Sequence, residues 1–281
     1  FLILEEDLTL NKAISKVGAQ AIFIVRKGKY VGVADFKKVL RSRLDVTVTK
    51  LKGNVRKTST VTEHDSILDV AEVMAKNNAE YLPVVINNGI TGAVFAKDIL
   101  CHALELDEAK NWKVSDIKLV KNTKLLAKDP VALAIDMMHE QKLDHLPLLE
   151  NGEVTGVVSY KDLLKKYLAL PPRREHSDRT RRPMSTRGAD PNVPHLTNLP
   201  LSNFATMQNL VSIYAKDSVL NAVQLMQKNN ISSLIVMDGD RYLGLLTMQA
   251  LLQNVSALVV RANFDLNFVG LTALKVTPAE K

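Results

Sequence analysis

Residues 145–168, HLPLLENGEVTGVVSYKDLLKKYL, decide the fold of this 281-residue chain, because their pattern occurs twice more along the sequence. The matching stretches are residues 81–104, YLPVVINNGITGAVFAKDILCHAL, and residues 233–255, SLIVMDGDRYLGLLTMQALLQNV. In each stretch a short apolar strand, a turn, a second strand and a helix follow one another. A repeated unit of this kind predicts a protein in which each copy buries its apolar face on a neighbouring copy.

A further helix is predicted before each stretch, and its signals have constant spacing. Each of these helices is predicted to begin at a capping aspartate, followed by apolar residues at helical spacing. The aspartates are Asp65, Asp129 and Asp217. Nine residues after them stand Met74, Met138 and Met226, which are predicted to fill the core. The glycines that are predicted to open the second strand follow after 27 residues and are Gly92, Gly156 and Gly244.

A fourth, degraded copy leads the chain. Asp7 stands 25 residues before Gly32, and the strand and helix patterns between and after them are retained. The shorter spacing predicts a shorter first helix in this copy.

These residues carry a family resemblance. The order helix, strand, strand, helix, the LP-V/L-V/L strand, the glycine and the S-x-x-D sequence after it resemble the cystathionine-β-synthase domain, or CBS domain. The resemblance implies an α/β (α+β) fold of four CBS repeats, paired into two compact units called Bateman modules. The expected organisation is module 1 with repeats 1 and 2 at 1–110, repeat 3 at 111–170, a basic linker at 171–195, repeat 4 at 196–255 completing module 2, and a strand-like tail at 256–281.

The composition narrows the class of protein. The 37 lysines and arginines exceed the 30 aspartates and glutamates, and the net charge of +7 favours polyanionic partners. Cys101 is the only cysteine, which is typical of a reducing cytoplasm. No apolar run approaches the roughly 20 residues that cross a bilayer, so we expect a cytoplasmic protein without a membrane partner. Because phosphate-loop, dinucleotide and nucleophile motifs are absent and the histidines lack metal-site spacing, we predict no enzyme activity, no catalytic residue and no metal site.

The resemblance also implies a binding site for an adenine nucleotide. In the CBS family the base lies between apolar strand residues, an aspartate accepts the ribose hydroxyls, and a serine or threonine near a helix start helps to hold phosphate. Repeat 3 has both polar residues, Ser159 and Asp162. Repeat 4 has Thr247 but Ala250 at the aspartate position, and repeat 2 has Asp98 but a phenylalanine at the hydroxyl position.

The best nucleotide site is therefore expected in module 2, at Ser159 and Asp162. AMP, ADP, ATP or S-adenosylmethionine are the expected ligands, and no cofactor is required. Copy 1 has Asp35 and Lys38 at the two positions, so its half of a site is predicted to be lost or changed. Asp98 and Asp162 have a second interpretation, because an aspartate near a helix start can simply cap the helix.

The stretch 171–195, PPRREHSDRTRRPMSTRGADPNVPH, is an insertion of about 24 residues between copies 3 and 4. Its prolines and lack of apolar periodicity predict no regular element. Arginine makes bidentate contacts with phosphate, and arginine-rich disordered segments fold on RNA. The predicted RNA-binding residues are Arg173, Arg174, Arg179, Arg181, Arg182 and Arg187. A tether without a partner is the other interpretation.

Two further segments remain open. Residues 36–57 carry eight lysines or arginines against Asp45 alone, which is consistent with an anion-binding surface or with a solvated helix face and strand ends. Residues 261–268 alternate between apolar and polar side chains like a strand.

The four repeats without a catalytic domain resemble a group of archaeal CBS proteins, some of which act on ribosomes as dormancy or dimerisation factors. The leading hypothesis is a non-enzymatic protein that binds the ribosome or ribosomal RNA through the basic linker, silences translation as a hibernation factor and senses adenine nucleotides. The alternative is an adenine-nucleotide-sensing regulatory subunit of a metabolic enzyme, kinase or transporter, with no RNA role. In either case we expect a homodimer.

Overall fold

The computed structural model describes residues 1–16, 21–42, 44–87, 89–121, 125–168 and 198–258. These residues form four copies of one unit, in which a helix, two antiparallel strands and a second helix follow one another. The predicted mixed α/β fold is confirmed. The six linker arginines and residues 261–268 lie outside the described residues.

Copies 1 and 2 occupy the N-terminal part of the chain. Copy 1 consists of β1 (Leu2–Glu5), α1 (Leu10–Ile14), β2 (Ile22–Arg26), β3 (Lys29–Ala34) and α2 (Phe36–Ser42). Copy 2 consists of β4 (Val55–Arg56), α3 (Ile67–Asn77), β5 (Tyr81–Ile86), β6 (Gly89–Phe95) and α4 (Ala96–Ala103). The five residues of α1 against the 11 of α3 confirm the shorter first helix of copy 1.

Copies 3 and 4 repeat the same order. Copy 3 consists of α5 (Val131–Glu140), β7 (His145–Glu150), β8 (Glu153–Ser159) and α6 (Tyr160–Leu168). Copy 4 consists of β9 (Ser212–Tyr214), α7 (Val219–Asn229), β10 (Ser233–Asp238), β11 (Arg241–Thr247) and α8 (Met248–Ser256). We call the residues before the first helix of a copy its leading segment: residues 54–66 in copy 2, 113–130 in copy 3 and 198–218 in copy 4.

The predicted capping role of Asp65, Asp129 and Asp217 is wrong. Ser66 and Ser218 hold the N-cap positions of α3 and α7, and their hydroxyls accept a backbone hydrogen bond at 3.2 and 3.1 Å. A proline without a side-chain hydrogen bond holds this position in α5. Each aspartate instead accepts from the backbone N–H three residues earlier, at 2.6, 2.8 and 3.1 Å. The aspartates therefore close a turn ahead of the helix.

Leading segments cross from one copy to the next. In copies 3 and 4 the exchange is mutual, because Val120 pairs with Leu245 and Thr206 pairs with Val157 through two backbone hydrogen bonds each, at 2.8 and 2.9 Å. In the same way β4 of copy 2 pairs with β3 of copy 1. Because such hydrogen bonds satisfy the edge of the neighbour's second strand, they join the copies in pairs.

The repeat glycines lie in the middle of the second strands, so the prediction that they open these strands is wrong. Gly32, Gly156 and Gly244 stand where a leading segment crosses. A Cβ at Gly244 would lie 2.9 Å from the Val120 carbonyl oxygen, and one at Gly32 would meet the Arg56 carbonyl. Gly92, over which no described leading segment crosses, would place a Cβ no closer than 3.6 Å to any atom.

Helices join the pairs of copies to each other. Helices α3 and α4 of copy 2 pack against α7 and α8 of copy 4, and α2 of copy 1 packs against α5 and α6 of copy 3. The predicted core methionines Met74, Met138 and Met226 are buried in these two cores, which confirms their role.

Strand faces complete the assembly. Phe23 of copy 1 packs edge-on against Tyr81 of copy 2, with ring centroids 5.7 Å apart, and Tyr81 packs on Phe95. Strands β8 and β11 make the corresponding contact between copies 3 and 4. Each copy thus meets one neighbour through strands and another through helices, which arranges the four copies in a ring.

Gly244→Ala is expected to lower the free energy of unfolding by about 3 kcal/mol. Its φ of +156° is strained for alanine, and the added Cβ would push the crossing backbone away. The matched control Gly92→Ala is expected to stay within about 1 kcal/mol of the wild type, since its surroundings are open. Urea unfolding followed by circular dichroism measures both variants. Equal losses would contradict the role given to the crossing.

Candidate ligand cavity between the four copies

A cavity of about 1710 Å³ lies between the four copies. Its wall includes the junction of β3 and α2, the end of α3, the end of α5 and the start of α8. The leading segments of copies 2 and 3 complete it at residues 56–57 and 117–121. Small-molecule pockets commonly measure about 300 to 1,000 Å³, so the cavity has room for a whole nucleotide or a larger ligand.

The wall of the cavity is cationic. Seven lysine or arginine residues line it against three carboxylate residues. The cations are Lys37, Arg56, Lys57, Lys76, Lys118, Lys121 and Lys142, and the carboxylates are Asp35, Glu80 and Asp144. Because a concave surface with one dominant sign of charge attracts the opposite sign, the cavity favours an anionic ligand.

Ion pairs link the copies where they meet at the cavity. Lys37 of copy 1 pairs with Asp144 of copy 3, and Ser232 Oγ of copy 4 donates to Asp144 Oδ2 at 2.9 Å. Lys161 Nζ of copy 3 lies 3.8 Å from Glu80 Oε2 of copy 2. Within the described part of the chain, Glu80 Oε1 is buried without a hydrogen-bond partner. This cluster therefore contains residues of all four copies.

The protonation states in the cluster differ because the partners differ. Burial and the adjacent Asp144 carboxylate raise the pKa of Glu80. Burial also acts to raise the pKa of Asp144, but the ion pair with Lys37 outweighs it and lowers that pKa to about 2. Burial lowers the pKa of His145 to about 4. At neutral pH Asp144 is therefore ionised and His145 is neutral.

The groups that join the copies occupy equivalent repeat positions. Glu80, Asp144 and Ser232 each directly precede the strand that follows the first helix of their copy. Five residues after the repeat glycine stand Lys37, Lys97, Lys161 and Gln249. Lys97 Nζ donates to Asn230 Oδ1 at 2.9 Å, and Gln249 Nε2 donates to the Ala75 carbonyl at 2.6 Å. One repeat position thus supplies donors to neighbouring copies throughout the ring.

Thr247 is the predicted nucleotide residue that lines the cavity. Its hydroxyl accepts from the Ala250 N–H at 3.2 Å and caps α8. Leu119 and Leu243 line the same part of the wall, where the leading segment of copy 3 crosses β11. Copy 4 therefore presents a hydroxyl at a helix start beside apolar strand residues, but no carboxylate at position 250.

Ser159 and Asp162 do not line this cavity, and their polar groups bond to each other. Ser159 Oγ donates to Asp162 Oδ2 at 2.6 Å and accepts from the Asp162 N–H at 3.1 Å, which caps α6. The sulfur of Met207 fills the space over the repeat glycine of β8. Asp98 lies in the first turn of α4 and accepts a long hydrogen bond of 3.5 Å from Gln227 Nε2. A nucleotide role for these three predicted residues stays a prediction.

The cleft of copy 1, which the sequence predicted to be lost or changed, forms part of the cavity. Asp35 and Lys37 line it from the start of α2, and Arg56 and Lys57 line it from the crossing segment. Asp35 Oδ1 accepts from the Lys38 N–H at 3.0 Å and so caps α2. The sequence shows that copy 1 lacks the S-x-x-D residues, but it does not show that the leading segment of copy 2 crosses this cleft.

Most of the basic stretch 36–57 serves the fold. Five of its eight cations have intramolecular partners: Lys37, Lys38, Arg41, Lys50 and Arg56. Among these contacts, Lys50 Nζ lies 3.0 Å from Asp7 Oδ1 and Lys38 Nζ lies 3.0 Å from the Gly53 carbonyl. The contacts of these five cations therefore favour a structural role for them over an anion-binding surface.

The ring of four α/β copies around a cationic cavity defines a tandem-repeat protein. The model of the CBS domain family matches residues 54–105, 114–169 and 202–257, which together exceed half of the chain. The chain belongs to the CBS-domain family. Copy 1 has the same element order as the matched copies, although its sequence lies outside the three matches.

Two solved structures have a similar fold. A protein from Methanocaldococcus jannaschii, described as an archaeal homologue of γ-AMPK, aligns with a TM-score of 0.71 and 15% identity over 90% of this chain and 95% of its own. An uncharacterized conserved protein from Pyrococcus horikoshii aligns with a TM-score of 0.56 and 18% identity over 85% and 93% of the two chains. At these identities the likeness shows a common fold. No curated protein matches the chain.

Two negative findings apply to the described residues. They contain no group of three or more histidine, cysteine, aspartate or glutamate side chains arranged to hold a metal ion. None of the helices they form is long and apolar enough to span a membrane.

His145→Gln is expected to reduce the acid sensitivity of the fold. The unfolded chain takes up a proton on His145 near its ordinary pKa of 6.5, whereas the folded chain resists protonation until about 4, so wild-type stability falls as the pH falls between these values. From about pH 7.5 to about pH 4, the wild type should lose roughly 3 kcal/mol more than the variant. Urea unfolding across this range measures the difference. The exposed His64→Gln is the control, and the same change in both variants would contradict the assignment.

Proposed function

We propose that this CBS-domain protein is a non-enzymatic regulator that binds an adenine nucleotide in the central cavity. The observation that carries the proposal is the excess of cations around a cavity that all four copies form. The start of α8 opens onto this cavity at Thr247, and the N–H groups of a helix start favour a phosphate. The family resemblance supports adenine as the base.

One cleft is proposed to hold the base and first phosphate of the nucleotide, and a second cleft opens into the same cavity. In copy 4 the base lies between Leu119 and Leu243, and a phosphate lies at the start of α8 beside Thr247. The second cleft is that of copy 1, whose wall includes Asp35. Because both clefts open into one cavity, occupation of one changes the electrostatic field in the other.

Calorimetric titration with AMP and ATP tests this function. We expect at least one of them to bind the wild type, and Thr247→Ala to weaken that binding about fivefold, the usual effect of one lost hydrogen bond. Thr247→Ser retains the hydroxyl and should bind within about twofold of the wild type. Asp162→Ala should also leave binding unchanged. Absence of binding by both nucleotides would overturn the proposal, and a loss confined to Asp162→Ala would place the nucleotide in the cleft of copy 3 instead.

The second candidate function is attachment to the ribosome or ribosomal RNA through the arginines of the linker. It is supported by the six arginines without a lysine among residues 171–195, and these residues lie outside the described part of the chain. Under this proposal the CBS ring senses the nucleotide, and the linker contacts phosphate in a translation-silencing role. The competing proposal is a regulatory subunit of an enzyme, kinase or transporter. The homodimer stays a prediction.

Co-sedimentation with purified ribosomes across a salt series separates the two proposals. Wild-type protein should pellet with ribosomes at low salt and lose affinity as salt rises, because phosphate contacts release counterions. A variant with all six linker arginines changed to serine should stay in the supernatant. Salt-insensitive pelleting of both proteins would contradict the RNA contact, and no pelleting of either would favour the regulatory subunit.

A further inference from the structure

We propose that the ligand of the central cavity is a nucleoside polyphosphate, rather than AMP or S-adenosylmethionine, and that Lys57 and Lys121 bind its outer phosphates. This inference rests on the proposed nucleotide function and specifies the chemical class of the ligand. Three observations support it. They are the positions of these two lysines, the cations of the cavity wall that have no partner, and the ion pairs that neutralise the cluster where the copies meet.

Lys57 and Lys121 occupy equivalent positions in different copies. Each directly follows the leading-segment residue that pairs with the residue after a repeat glycine, on β3 in one case and on β11 in the other. Both side chains line the cavity, one at the cleft of copy 1 and the other at the cleft of copy 4. The third equivalent position, over β8, is Met207, and its cleft does not join this cavity. This position therefore holds a lysine at the two clefts that open into the cavity and a methionine at the cleft that does not.

The cations of the wall divide into two groups. Lys37 pairs with Asp144, Lys76 Nζ lies 2.8 Å from Glu72 Oε1, and Arg56 donates to the Asn77 carbonyl at 2.6 Å. The second group makes no ion pair or hydrogen bond with the described part of the chain. Its members are Lys57, Lys118, Lys121 and Lys142. These four positive charges are available to a ligand.

The cluster where the copies meet adds little to this charge. Asp144 neutralises Lys37, and the carboxyl group of Glu80 lies beside Lys161. A phosphate that approached Lys37 would meet the ionised Asp144 and be repelled by it. The four unpaired lysines, which stand on the leading segments and at the end of α5, therefore attract the ligand's charge.

Ligand charge and size follow from this arrangement. A single phosphate at the start of α8 would lie in the cleft of copy 4, whereas the unpaired lysines are found both there and at the cleft of copy 1. A chain of two or three phosphates carries more charge and reaches further from the base. S-adenosylmethionine carries a sulfonium cation, which the same lysines repel. The volume of about 1710 Å³ accommodates the longer ligand.

Calorimetry at fixed ionic strength in magnesium-free buffer tests the proposal, with AMP, ADP, ATP, S-adenosylmethionine and inorganic tripolyphosphate as probes. Affinity should rise from AMP through ADP to ATP, with ATP at least about tenfold tighter than AMP. In the double variant Lys57→Gln and Lys121→Gln, ATP affinity should fall at least about tenfold and AMP affinity less than about threefold. Both lysines are exposed and without partners, so the variant should keep the wild-type circular dichroism spectrum and melting temperature.

The matched control is the double variant Lys52→Gln and Lys228→Gln, which removes the same charge from exposed positions outside the cavity. It should retain the wild-type preference for ATP. Equal affinities for AMP and ATP, tight binding of S-adenosylmethionine, or an equal loss in the control would overturn the polyphosphate assignment and leave the nucleotide function standing. Binding of tripolyphosphate without binding of any adenine compound would overturn the nucleotide function while supporting the two lysines as phosphate ligands.

Discussion

The crossing of a leading segment over a neighbour's second strand is the contact on which the rest of the structure depends. It places the backbone of one copy against the repeat glycine of another, at Gly32 and Gly244, and binds it there through paired hydrogen bonds. The strand pairs made in this way are then joined by helices, so that copy 2 meets copy 4 and copy 1 meets copy 3. The cavity is the space that this ring of contacts encloses. The residues that line the cavity are therefore determined by the way the copies cross one another, and not by the sequence of any single copy.

Much of the unit could be predicted from the sequence, because its signals are local. The period-2 strands, the helical spacing and the buried methionines all follow from short-range pattern, and even the short α1 follows from the spacing of Asp7 and Gly32. The misassigned caps show the limit of such reasoning. Where an aspartate and a serine are adjacent, as at Asp65 and Ser66, a shift of one residue exchanges their roles, and composition alone cannot decide between them.

The candidate site was harder to predict because it is non-local. The S-x-x-D residues of copy 3 were the best match to the family, yet Ser159 and Asp162 bond to each other, and Met207 lies over the repeat glycine of the same strand. Copy 1 lacks both residues and still contributes to the cavity, since the leading segment of copy 2 crosses it there. Only the crossings reveal that Lys57 and Lys121 are equivalent. The cluster of Lys37, Asp144, Glu80 and Ser232 also required the fold, because its members come from four copies.

Under the proposed function, the charge of the ligand acts on the contacts between copies. Lys37 and Lys161 pair with carboxylates of other copies, and the unpaired lysines are proposed to bind phosphate beside these contacts. Photolabelling with 8-azido-ATP, followed by mapping of the labelled peptides, tests where the nucleotide binds. We expect label in residues 113–121 and 243–254, where the leading segment of copy 3 crosses β11. Label confined to residues 153–168 and 198–207, the cleft of Ser159 and Asp162, would contradict it.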